Sequence, residues 1–118
     1  MKPLNSFQKG GRAERALAAI LTEAGYPARR GCQYAGGPDS PDVVCSALSL
    51  FHIECKDVER PNPFAFFAQA ARDAGAGKVP VVAMKKKGTP FLVLIHSADF
   101  LRLLHACDFS ALSASETK

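Results

Sequence analysis

The chain has 118 residues, of which 47% are apolar, so it suits one globular domain with a single core and excludes a disordered polymer. Its net charge of +4 is compatible with a polyanionic partner without demanding one. No charged-then-apolar leader opens it and no apolar run is long enough to span a bilayer, so no membrane association is expected. Cys32, Cys45, Cys55 and Cys107 form no C-x-x-C pair, which points to reduced thiols and a cytoplasmic setting. A zinc site from Cys32, Cys45, His52 and Cys55 is disfavoured, because His52 and Cys55 fall on opposite faces of one strand.

Residues 1–8 read as a short flexible arm. From Gly11 to Ala24, the residues Ala13, Ala16, Leu17, Ile20, Leu21 and Ala24 follow the spacing of an amphipathic helix, and Gly25 is its stop signal. Tyr26 to Gln33 reads as a short extended piece, and "YAGGPDSP" as a loop. Asp42–Leu48 and Leu50–Lys56 read as two strands with a tight connection near Ser49. "ERPNP" breaks the chain. Phe64–Gly75 is a second helix whose packed stripe holds Phe64, Phe67, Ala68, Ala71 and Gly75, with Phe66 on the opposite side. "VPVVAM" and "FLVLIH" are two further strands around an exposed "KKKGT" turn, and Ser97 caps a last helix. Residues 109–118 read as a flexible tail. The order is αβββαββα, an α/β sandwich around a mixed sheet.

The stretch "SPDVVCSALSLFHIECKD" is apolar enough for buried strands yet carries Asp42, Glu54 and Lys56. Alternation puts Glu54 and Lys56 on one face, with Cys55 turned the other way. If the two strands pair as a hairpin, Asp42 comes to lie beside Glu54. Neighbouring carboxylates raise one another's pKa, and a hard divalent ion removes that conflict. Magnesium, or manganese, suits such oxygen ligands. The backbone carbonyl of Cys55 is a further candidate ligand. Lys56 is placed to hold a water or to neutralise charge developing on a phosphodiester. Glu14, at the edge of the helix stripe, can add a third acid, although an ordinary exposed helix residue would look the same.

P-D followed by E-x-K on a strand resembles the PD-(D/E)XK nuclease superfamily. "KGGRAERAL", "SPDVV", "IECK" and "VPVVAMKKK" are similar to the successive motifs of archaeal-type Holliday junction resolvases, over roughly residues 9–104. Small nucleases of this type also occur in phages. The resemblance implies a restriction-endonuclease-like core, a central mixed β-sheet flanked by helices, forming one nuclease domain over residues 9–108. It implies a metal-dependent endodeoxyribonuclease in which Glu14, Asp42 and Glu54 bind the metal and Lys56 assists the nucleophile. Ser40 and Gln69 would be accessory residues. The partners would be four-way DNA junctions and a second copy of the chain, since a junction takes two symmetric nicks. Neither a membrane nor a small-molecule substrate is expected. Cleavage of other branched or linear DNA, and binding without cleavage, stay open.

Lys9, Arg12, Arg15, Arg29 and Arg30 flank the first motif, and Lys85, Lys86 and Lys87 occupy a turn, as a phosphate-binding surface requires. Solubilising a turn is the plainer reading for any single lysine. Of His52, His96 and His105, only His52 shares a face with Glu54. All three are assigned structural roles at this level.

Overall fold

The computed structural model describes residues 6–31 and 41–112, and the side chains of residues 6–10 lie outside that description. The first helix, α1 (Ser6–Glu23), starts inside the stretch expected to be an arm. It buries Ala13, Leu17 and Ala18, and the two alanines let it lie close to the sheet. Gly25, at φ 103°, ends it: the Tyr26 N–H bonds the Leu21 carbonyl at 2.9 Å and the Gly25 N–H bonds that of Thr22 at 3.1 Å. This is a Schellman cap, and a left-handed residue is needed to close it.

The sheet is built from β1 (Arg29–Arg30), β2 (Val43–Val44), β3 (Phe51–Asp57), β4 (Val79–Lys85) and β5 (Leu92–Ile95), in that spatial order. Pairing is antiparallel except between β3 and β4, which run parallel. That parallel step takes a crossover, supplied by α2 (Pro63–Ala74). The strand expected over Asp42–Leu48 is only two residues long. Ser46–Leu48 turns into a short 3-10 helix, in which the Leu48 N–H reaches the Cys45 carbonyl at 3.0 Å. Ser46 and Ser49 favour turns over a ladder, so the connection to β3 is a folded loop rather than a tight hairpin turn. The start of β2 stays in register all the same. The Asp42 N–H bonds the Ile53 carbonyl at 3.0 Å, and the Gly31 N–H bonds that of Asp42 at 2.8 Å.

Helix α2 begins at Asn62, whose side chain accepts the Ala65 N–H at 3.2 Å, with Pro63 following as the first helical residue. Its packed face is not the stripe expected. Ala70 and Ala74 are fully buried, Phe66 and Phe67 are half-buried, and Phe64 is 89% exposed. Hydrophobicity favoured Phe64 as the anchor. The small methyl groups of Ala70 and Ala74 instead let α2 approach β3 and β4 closely, and the large ring is left outside. The last helix, α3 (Ser97–Ala106), is capped by His96 rather than Ser97: its extended backbone places Nδ1 to accept the Ala98 N–H at 3.0 Å.

Strand β3 is covered on both faces. Ile53 and Cys55 join the core with Ala13, Leu17, Ala18, Val43 and Ala83, while Glu54 and Lys56 turn toward α2. Glu54 and Lys56, two of the charges in an otherwise apolar run, therefore both meet one helix.

Candidate active site

Asp42 and Glu54 come together through the antiparallel pairing of β2 with β3. The Oδ2 of Asp42 accepts the Cys55 N–H at 2.7 Å, which anchors the loop end of β2 against β3. The two carboxyl groups are in side-chain contact. Burial, reinforced by that contact, raises the Asp42 pKa to about 7, and the Cys55 N–H, then the neighbouring Lys56, only partly offset it. Burial also raises the pKa of Glu54, and Asp73 raises it further. Both carboxyl groups of the pair are thus driven toward holding a proton. Two adjacent acids with only oxygen donors fit a hard divalent cation, which would take the place of that proton.

Lys56 is fixed by α2. Its Nζ donates to Gln69 Oε1 at 3.0 Å and lies 5.5 Å from the centre of the Phe66 ring. Phe66 is thus part of the site, not a stray aromatic on the far side of the helix. The Cys55 thiol faces the core, where burial and the nearby Asp42, Glu14 and Asp57 push its pKa up to about 12, so it is inert. A strand residue points its N–H and C=O toward the same neighbour, so the Cys55 carbonyl is directed toward Asp42 with its N–H.

Glu14 is 4% exposed, and its Oε2 accepts a hydrogen bond from Arg30 Nε at 2.6 Å. It comes from α1, and its field reaches Cys55. Arg30 is therefore engaged inside the fold, unlike Arg12, Arg15 and Arg29, which are exposed. Lys85 pairs in register with Asp57 and lies over the Phe91 ring at 5.6 Å, and Lys86 and Lys87 project from the following turn at the same end of β3 as Lys56. Ser40 and Cys32 lie outside the described residues, as does the Lys9 side chain.

Sequence reasoning missed two residues. His52 is completely buried, and its Nε2 lies 2.8 Å from Glu54 Oε1. Asp73, one turn beyond Gln69 on α2, brings a carboxylate oxygen close to both, the three ligand-type atoms lying within 4.8 Å of one another. Alternation along β3 carried the signal for His52. The spacing of Gln69 and Asp73 on one helix face carried it for Asp73.

A mixed sheet with P-D entering one strand and E-x-K along its neighbour, closed by a helix glutamine over the lysine, defines a nuclease domain of the restriction-endonuclease-like fold. The chain belongs to the archaeal Holliday junction resolvase (Hjc) family, whose model matches residues 5–109. The solved structure of Hjc from Archaeoglobus fulgidus, a Holliday junction resolvase from an archaeal hyperthermophile, is similar with a TM-score of 0.53 and 27% identity, covering 73% of this chain and 76% of that one. Among curated proteins, none matches. No helix among the described residues is long and apolar enough to cross a membrane.

Proposed function

We propose that this chain is a divalent-metal-dependent endodeoxyribonuclease that resolves four-way DNA junctions by paired phosphodiester hydrolysis. The observation that carries the reading is the buried contact of Asp42 with Glu54 beside Lys56, three charges the fold brings together at a cost in burial. Asp42, Glu54, the Cys55 carbonyl and Glu14 would hold the ion, magnesium or manganese, with Ser40 an accessory group. When bound, the ion supplies an acidified water and a counter-charge for the phosphate. Lys56, fixed by Gln69 and Phe66, orients the nucleophile and meets the charge that grows on the phosphate oxygens. Lys9, Arg12, Arg15, Arg29 and Lys85–Lys87 grip phosphates around the cut.

Two symmetric nicks call for two active sites and hence a homodimer. The exposed Phe64 beside a groove lined by Pro63, Phe67, Leu94 and Ile95 supports such a contact. The working unit is a single nuclease domain over residues 9–108, acting in the cytoplasm.

The test offers labelled four-way junctions, flaps and linear duplex to the wild type and to Asp42→Ala, with magnesium. Paired symmetric nicks on junctions, lost in Asp42→Ala and in chelator, are the expected result. Cutting of every substrate alike would replace junction selectivity with a broader nuclease. Binding without any cleavage would refute the enzyme.

A further inference from the structure

Glu54 has neighbours on two sides. Asp42 meets it from β2, and His52 and Asp73 meet it from the strand and helix that enclose it. The His52 ring has no solvent exposure, so nothing in water competes for its 2.8 Å contact with Glu54 Oε1. A carboxylate with two free oxygens rotates, and a metal must then stop it. A carboxylate with one oxygen already fixed presents the other without that ordering cost. Groups that hold metal ligands from behind change metal affinity by about 10- to 100-fold.

We propose that His52 is a positioning residue for Glu54: its Nε2–H donates to Oε1 and leaves the second oxygen for the cation. The inference rests on the reading of Glu54 as a metal ligand. Residues 52, 54 and 56 then work as one face of β3. His52 sets Glu54, and Gln69 sets Lys56. Asp73 walls Glu54 in from α2 and keeps negative charge beside it.

The test compares His52→Met, which keeps the bulk and removes the donor, with His52→Gln, which keeps a donor at similar reach. Manganese binding is measured by calorimetry without DNA, alongside thermal melting and the metal dependence of junction cleavage. We expect His52→Met to weaken manganese binding about tenfold or more, with cleavage largely recovered at saturating metal, and His52→Gln to stay near wild type. Wild-type affinity in a folded His52→Met would overturn the proposal. So would equal losses in both variants, which would mark the ring as packing alone. Loss in Asp73→Asn of a second manganese that the wild type binds would also overturn it, by making His52 a ligand. Should His52→Met fail to fold, the nitrogen NMR spectrum of the wild-type imidazole decides: a protonated Nε2 whose resonance moves on adding magnesium supports the proposal, and a bare Nε2 sinks it. Asp42→Asn separates the two levels. Normal metal binding and cutting there would overturn the active-site reading together with this one, while failure of Asp42→Asn beside an unaffected His52→Met removes this one alone.

Discussion

Lys56 on β3 and Gln69 on α2 are joined by a 3.0 Å hydrogen bond, so the ammonium is held by a different element from the one that carries it. The Phe66 ring supports the same ammonium from beside that bond. Gln69→Ala should therefore lower kcat about tenfold, in the range of a misplaced catalytic group, with little change in KM and none in folding. Phe66→Leu should act in the same direction but less. Single-turnover cleavage of a labelled junction checks both. An unchanged kcat in Gln69→Ala would show that Lys56 needs no help from α2.

The raised pKa of Asp42 fixes the sign of a pH effect on the metal-free protein. Unfolded, this carboxyl ionises near its ordinary 3.8; folded, it holds its proton to about 7. Its stabilising contribution is fully present below pH 3.8 and is lost as pH rises through about 7. Glu54, also raised, adds to the same trend. Denaturant midpoints of the chelated protein should fall between pH 4 and pH 8, other groups held aside. Magnesium should remove most of that fall, since it replaces the proton.

Asp42→Asn follows from the same cause. The amide oxygen can still accept the Cys55 N–H, but no buried charge remains beside Glu54. Cleavage should be abolished, while the metal-free protein at pH 8 gains on the order of 2 kcal/mol. That opposition, activity lost and stability gained, marks a functional carboxylate. A structural one would lose both.

The αβββαββα order was legible in the sequence from periodicity, and the meeting of Asp42 with Glu54 and Lys56 from alternation along β3 together with antiparallel pairing of its neighbour. Alternation fixes which residues of β3 share a face, and the proline-aspartate pair opens the strand beside it. Elements whose burial depends on tertiary packing were not legible. Phe64 is more apolar than Ala70, yet the alanine is buried, because close approach of α2 to the sheet rewards small side chains. The Glu14–Arg30 pair joins α1 to β1, and no local spacing announces it. The two-residue β2 gave way to a 3-10 turn, whose serines carried a turn signal that the apolar residues around them masked. His52 lay on the right face from the start, but an imidazole in a buried strand is common, and only its distance to Glu54 gives it a role.

Gly31 shows how a residue with no side chain can matter to the site. A β-carbon there would overlap the Pro41 carbonyl, next to Asp42. The neighbour is backbone and cannot rotate away. Gly31→Ala should destabilise the fold by about 2 kcal/mol, as overpacking does. Its cleavage rate should fall by more than that stability loss explains, because the shift moves the segment that carries Asp42. Rates measured well below the melting temperature separate the two effects, and a wild-type rate in the folded variant would contradict the argument.

The basic residues divide by their surroundings. Arg30 donates to the buried Glu14, whereas Arg12 and Arg15 are exposed on α1. Removing Arg30 takes its ion-pair partner from a carboxylate in a poorly hydrated place. The arginine is itself 29% exposed, so water relieves part of the cost. Arg30→Ala should then lower stability by roughly 2 kcal/mol, below the value for a fully buried pair. Arg12→Ala and Arg15→Ala should leave the melting temperature alone. They should weaken junction binding and reduce the salt dependence of log Kd by about one per charge removed. Binding titrations at several salt concentrations, paired with melting curves, test the division. If Arg30→Ala instead melts like the wild type and shows the full drop in salt dependence, Arg30 grips phosphate and its bond to Glu14 contributes little.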